Sequence, residues 1–325
     1  MPRTLIVSII NYRTGSLTIA CIESVLADMG SIDGEIVVID NASGDGSDAL
    51  IASWIKANPH QTPVHLICSK DNSGFSGGHN QVFAAVAADY YLVLNSDAAL
   101  RPGFLGKMLE SAQANPKAGL IAPRLEDEDG TVQTSCFMFH RPATEFIRGA
   151  CSGPVTRLLG RWNLPLGPNP DPARIEWASF ACILVNGRMI ADIGPMDDGY
   201  FLYFEDVEFC LRARRAGWSL LYVPEARAIH YRGGSGPVKA LRKAHKRMPI
   251  YYWRSRARYF THAYGRIGPW VANLSWHAGR ALAHLRWLTG RRPYPTVEQE
   301  AKDIWIGASN PLIPFRPERS NDDAA

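Results

Sequence analysis

Four short apolar runs, each followed by a helical pattern or a polar turn, constrain this chain more than any other feature. Leu5 to Ile10, Glu35 to Asp40, Val64 to Cys68 and Tyr90 to Leu94 have the length and composition of strands buried in a sheet. The first is followed by a helical pattern with Ser16 as its cap, Ile19, Ile22 and Leu26 on one face and Gly30 as its stop. A turn over residues 41–47 leads to a second helix ending near Ala57. A glycine-rich loop, Lys70 to Asn80, leads to a third helix predicted over Gln81 to Ala88. Strand and helix alternating through short connections predict an α/β fold, a mostly parallel sheet flanked by helices. Such sheets bind ligands beyond the carboxyl ends of their strands. Asn11, Asp40, Asn41 and Asp97 all fall at those ends.

After Pro123 the alternation weakens. Asp127 to Gly130 reads as a hairpin turn, and residues 140–175, rich in Pro, Gly and Arg, as an irregular excursion. Ile175 to Val185 predicts one buried strand, Asp206 to Ala216 a helix stopped by Gly217, and Trp218 to Val223 and Ala226 to Tyr231 two further strands.

The 325 residues suffice for one large domain with an appendage, or for two modest ones. The net charge of +4 conceals an asymmetry: from Arg227 to Arg292 there are fifteen Lys or Arg and no Asp or Glu. That predicts an acidic body with a basic C-terminal region. The six cysteines form no CxxC pair and read as buried thiols, which argues against a disulfide or zinc frame and for a reducing compartment. No secretion signal is visible at the start, and no apolar run is long enough to span a membrane.

The segment Tyr200 to Cys210 carries the most chemistry. It sets Glu205 and Asp206 side by side, with Glu208 close behind, after a run of aromatic residues. Aromatic faces suit sugar rings, and a carboxylate among them can take a proton from a hydroxyl. Each chemical reading has a plainer alternative. Asp40, Asp97 and Asp206 also fit turn or helix-cap positions. The glycine-rich loop also fits a simple strand-to-helix connection, and a lone strand histidine such as His230 is commonly structural.

The ordered series SIINY, VVIDNASGDGS, NSGFSGGHN, LVLNSDA, FLYFEDVEFCLRARRAGW and IHYRGGS resembles family 2 of the inverting glycosyltransferases, in its rhamnosyltransferase-like branch. The resemblance spans roughly residues 4–235 and implies a GT-A (Rossmann-like) sheet over about 1–235. Its nucleotide-sugar half would be about 1–123 and its acceptor half about 124–235, followed by a basic helical region over 236–325. It implies a donor site formed by Asn11, Tyr12, Asp40, Asn41, Gly74, Phe75, Gly78, Asn80, Asn95 and Arg232. It implies a cation, Mg2+ or Mn2+, held by Asp97 and His230, and Asp206 as the catalytic base with Glu205 orienting the acceptor. Asn95 stands where the family often has the first Asp of a D-x-D-like signature, so one negative charge is missing. Glu208 is expected to pair with Arg212 one turn on.

The implied donor is a dTDP- or UDP-linked sugar, with dTDP-L-rhamnose first, and the implied acceptor a glycan or lipid-linked glycan in bacterial surface-polysaccharide synthesis. The expected location is the cytoplasm, at the inner face of the membrane. A non-catalytic scaffold that binds nucleotide sugars is the rival. The basic tail has the charge for nucleic acid but no recognised module, so no nucleic-acid partner is expected. Val271, Leu274, Ala278, Ala281, Leu285 and Leu288 fall on one face of a predicted amphipathic helix. That face suits an anionic membrane, the chain's own domain, or a second subunit in a homodimer.

Overall fold

The computed structural model describes residues 3–231, 238–286, 290 and 294–317. The first half alternates as the sequence predicts: β1 (Arg3–Asn11), α1 (Gly15–Met29), β2 (Gly34–Asp40), α2 (Ser47–Ala57), β3 (Val64–Cys68), α3 (Gly74–Ala85) and β4 (Ala88–Asn95). Then come β5 (Ala98–Leu100), α4 (Phe104–Ala114), β6 (Ala118–Glu126), β7 (Cys136–Phe137), α5 (Pro142–Ala150), α6 (Gly153–Leu158), β8 (Trp177–Ala178) and β9 (Cys182–Asn186). The described remainder holds α7 (Gly187–Ile193), α8 (Glu205–Arg215), β10 (Ser219–His230), α9 (Val238–Lys243), α10 (Ile250–Tyr264), α11 (Gly268–Leu285) and α12 (Glu300–Asp303). Eight strands form one sheet in the order β3-β2-β1-β4-β9-β6-β10-β5, and β7 and β8 form a small second sheet. Only β9 and β5 run against the rest, so the main sheet is mostly parallel.

Strand alternation explains the continuous apolar runs. Leu5, Val7 and Ile9 of β1, Ile36 and Val38 of β2, and Leu92 and Leu94 of β4 enter the core beneath α1, α2 and α4. Their sequence neighbours Ile6, Val37, Ile39, Tyr91 and Val93 enter the opposite core, shared with α3, α7, α8 and α10. Both faces are covered, so both parities must be apolar.

Four details differ from the sequence reading. First, Ile175 to Val185 is not one strand: β8 leaves for the small sheet, and β9 inserts antiparallel between β4 and β6. Second, β10 is continuous, with its register against β6 shifting between Val223 and Arg227, so the sequence's two strands are one with an irregularity. Third, residues 140–175 are partly helical, in α5 and α6. Fourth, Cys68 and Cys151 are exposed, whereas the other four cysteines are buried; all six are free. The turn at Asp127 to Gly130 forms as predicted, with Gly130 N–H donating to Asp127 O at 3.0 Å.

The C-terminal helices are fastened to the sheet domain by a buried polar knot. Arg256 on α10, 1% exposed, donates to Glu145 of α5 at 2.9 Å and to Asn273 of α11 at 2.7 Å. Asn273 donates to Ile304 O at 2.9 Å, and Arg148 of α5 pairs with both Glu145 and Glu300. Backbones meet closely where α5 crosses α11: a Cβ at Gly149 would lie 2.2 Å from Trp276 O, and one at Gly279 2.3 Å from Phe146 O. The packed side of α11 is therefore Ala272, Asn273, Trp276, Gly279 and Ala283.

Burial alone would raise the Glu145 pKa, but Arg148 and Arg256 together outweigh it and hold the group at about 2. A carboxylate depressed in this way adds stability that is complete above its unfolded pKa and lost as pH falls towards the folded value. Glu145→Gln leaves Arg256 buried with its countercharge gone, and should destabilise the fold by about 3–5 kcal/mol at neutral pH. Urea melts at neutral pH and at about pH 3 should show the parent losing more stability on acidification than the variant.

Candidate active site

The carboxyl ends of β1, β2, β4 and β10 converge on one edge. Register places Asn11 opposite Asp40, Ile10 opposite Asn95, and His230 opposite Ala98. The Asn11 amide donates to Asp40 Oδ1 at 2.6 Å and to Ser43 Oγ at 3.1 Å. Its oxygen accepts from the hydroxyls of Thr14 at 3.0 Å and Thr18 at 2.8 Å. Asn11 is fully buried and so fully occupied, and its action is to orient Asp40. Asp40 also accepts from Ser43 N–H at 3.1 Å and from the Ser43 hydroxyl. Asn41 ties this loop to the next, donating to Asn72 at 2.9 Å and Gly74 O at 3.0 Å.

Tyr12 is 42% exposed, with the Arg13 guanidinium 5.3 Å from its ring centre. Arg13 has a left-handed backbone, φ +60, and its Nε donates to Ser43 O at 3.0 Å. The sequence reading missed Arg13 and Ser43. In sequence Ser43 is one residue of a polar turn, although hydroxyls two or three residues after a strand-end Asp commonly bond back to it.

The glycine-rich loop is corrected. Helix α3 begins at Gly74 and absorbs most of it, instead of starting at Gln81. Gly74 has φ +73, and a Cβ there would lie 2.1 Å from Phe201 O. A Cβ at Gly78 would lie 2.3 Å from Ile10 Cδ1. These glycines let α3 press against the 200–204 segment and β1. Phe75 is buried against the His79 ring at 4.5 Å, and its N–H donates to Phe201 O at 2.9 Å. The Asn80 amide is committed at both ends to Met196, at 2.7 and 3.1 Å. Gly74, Phe75, Gly78 and Asn80, which the resemblance assigns to the donor site, are thus engaged in close backbone packing and in bonds to the 196–201 segment. Arg232 lies outside the described residues.

Asp97 sits in the turn between β4 and β5, 1% exposed, and its carbonyl accepts from Tyr231 N–H at 2.9 Å. His230, at the end of β10, brings Nε2 to 3.5 Å from Asp97 Oδ1. That nitrogen is buried without a hydrogen-bond partner among the described residues. An imidazole nitrogen and a carboxylate oxygen at this separation suit Mn2+ or Mg2+. Among the described residues no third His, Cys, Asp or Glu joins them, so diphosphate oxygens and water would have to complete the shell.

The acid pair opens α8. Tyr203 and Phe204 precede it with φ of +70 and +69, a left-handed backbone that non-glycine residues rarely adopt. Rings hold them there: Phe204 packs 4.9 Å from His140, 5.5 Å from Tyr252 and 5.7 Å from Tyr259. Tyr200 and Phe204 are core, whereas Phe201 and Tyr203 are partly exposed, so only part of the aromatic run is available to a sugar. Asp206 is partly exposed and Glu205 is 5% exposed. Burial lifts Asp206 to about 7, opposed by the N–H groups of Val207 and Phe180. Burial, then the neighbouring Asp206, pushes Glu205 well above the usual carboxylate range. Ala181 accepts from Asn95 N–H at 2.9 Å, so the 180–181 turn links Asp206 to the Asn95–Asp97 turn. Glu208 faces away and pairs with Arg212 at 3.0 Å, as expected.

The strand-end polar loops, the Asp–His pair beside the sheet's reversed edge strand and the buried acid pair at the start of α8 sit on a mostly parallel sheet with the layout of the GT-A fold. Comparison with known proteins agrees. Residues 4–149 match the family described as glycosyl transferase family 2. The chain is 27% identical over 252 residues to the N-acetylglucosaminyl-diphospho-decaprenol L-rhamnosyltransferase of Mycobacterium tuberculosis, covering 69% of this chain and 78% of that one. It is 27% identical over 145 residues to rhamnosyltransferase WbbL of Escherichia coli, covering 44% and 52%. In fold it is similar to mannosyltransferase PcManGT from Pyrobaculum calidifontis, solved with GDP-Man and Mn2+, with a TM-score of 0.57 at 12% identity, covering 90% and 77%. Residues 4–149 thus match family 2 of the glycosyltransferases, and the chain as a whole is similar to rhamnosyltransferases.

Glu205 is held neutral, so Glu205→Gln replaces a protonated acid with a near isostere. With Asp206 as the base that the resemblance implies, turnover of Glu205→Gln should keep the parent's acid limb near pH 7. A raised pKa also means that the stability tied to neutral Glu205 is full at low pH and lost as pH rises through the folded value. Thermal melts of Glu205→Gln should therefore decline less than those of the parent as pH rises out of the usual carboxylate range.

Proposed function

We propose that the chain transfers a hexosyl group, L-rhamnose from dTDP-L-rhamnose being the best-supported case, to a hydroxyl of a lipid-linked or polysaccharide acceptor, with inversion at the anomeric carbon. The observation that carries the reading is Asp206: a carboxylate at about 7, partly exposed at a helix start and linked through Phe180–Ala181 to the Asn95–Asp97 turn. The acceptor oxygen forms its bond to the anomeric carbon as the bond from that carbon to the diphosphate oxygen breaks. Asp206 takes the hydroxyl proton, and the nucleoside diphosphate departs with the bonding pair. A pKa near neutrality suits a base that must be free at physiological pH and still attract a proton.

Asp97 and His230 would hold the divalent cation, whose chemistry is to neutralise charge on the diphosphate. Asp40, braced by Asn11 and Ser43, offers a carboxylate edge to an imide N–H or a ribose hydroxyl, and the exposed Tyr12 ring offers a stacking face. Rhamnose as the sugar and a diphospho-lipid acceptor are supported by the names of the relatives from M. tuberculosis and E. coli. Work on such an acceptor would take place at the inner face of the cytoplasmic membrane.

Asp206→Asn should lose about 10²–10⁴ in turnover while donor affinity holds. Release of nucleoside diphosphate across a donor panel, with calorimetry for binding, checks both. Asp97→Asn should lose the Mn2+-dependent part of donor binding. Near-normal turnover in Asp206→Asn would falsify the base assignment.

A further inference from the structure

The side of α11 turned away from the protein is apolar. Ile267, Trp270, Val271, Leu274 and Leu285 are 69%, 47%, 41%, 60% and 60% exposed, and Ala278 and Ala281 are exposed among them. At 3.6 residues per turn these seven fall within an arc of about 100°. The packed residues Ala272, Trp276, Gly279 and Ala283 lie on the opposite side of the helix. The sequence stripe is thus real from Val271 to Leu285, Leu288 lying outside the described residues, but it is not the face that closes the core. Monomeric proteins rarely leave such a stripe uncovered.

What covers it is indicated by charge. No carboxylate occurs on α10 or α11, nor anywhere from Arg227 to Arg292; of the fifteen cations there, Arg247, Arg256 and Arg258 are spent on Asp303, Glu145 and Asp197, and α11 itself holds no countercharge for those that flank it. Exposed Arg266 precedes the stripe and Arg286 follows it. A second copy seated about a two-fold axis would set this basic face against itself. An anionic lipid surface matches both the apolar stripe and the charge around it. Among the described residues no helix is long and apolar enough to cross a membrane, so contact through α11 would be lateral. We propose that α11 lies flat on an anionic bilayer, with Trp270, Leu274 and Leu285 entering the headgroup boundary. This rests on the proposed lipid-linked acceptor only for its purpose; the surface itself is argued independently.

The test is co-sedimentation of the full chain with phosphatidylcholine vesicles, with and without phosphatidylglycerol. The chain should pellet with the anionic vesicles, and less so as salt rises. Leu274→Glu should weaken partitioning about tenfold, and Leu274→Glu with Leu285→Glu further. Both positions are exposed, so melting temperature and hydrolysis of the soluble donor should match the parent. Two results overturn the proposal: no preference for anionic vesicles, or a dimer in light scattering that Leu274→Glu splits, which would make the stripe a self-interface. Loss of donor hydrolysis in the parent itself would sink the transferase reading without touching the vesicle result.

Discussion

Everything at the catalytic edge depends on β1 being paired on both sides. Its register with β2 puts Asn11 beside Asp40, and its register with β4 puts Ile10 beside Asn95. Slipping by one residue would turn each side chain to the other face and expose half of two cores. The hydrophobic demand of both cores therefore fixes where the polar strand ends meet. The same constraint explains Ser8, the polar residue inside β1. It is fully buried and hydrogen-bonded at 2.7 Å to His79, which burial depresses to about 3 and so keeps neutral.

The sheet was readable because its strands are buried twice over, and twofold burial leaves an unmistakable apolar run. The strand β9 was harder. Its five residues form part of a longer apolar stretch, and nothing local says that Trp177 and Ala178 belong to another sheet. Only the gap between β4 and β6 decides that. The early start of α3 was hidden for a related reason: Gly74, Gly77 and Gly78 have poor helix propensity, and tertiary contact with Phe201 and Ile10 overrides it.

Among the site residues, Asp97, His230, Glu205 and Asp206 could be named from motif order, and the structure adds what order cannot. It shows that His230 approaches Asp97, that Glu205 and Asp206 differ in exposure, and that Asn11 and Asn80 are occupied with other protein groups. Periodicity along α11 identified the stripe but not its direction. Three- and four-residue spacing is the same for a face turned inward and one turned outward, and the small residues Gly279 and Ala283 proved the better marker of contact.

The turn at Tyr203 and Phe204 has a consequence for how this enzyme can change. Two neighbouring residues there hold a shape that glycine adopts freely, and they are kept in it by rings from His140, Tyr252 and Tyr259. The direction of the Glu205–Asp206 pair is thereby set by aromatic neighbours distant in sequence, two of them on α10. Drift in those neighbours would redirect the two carboxyls without altering either of them, giving evolution a remote adjustment of where they point.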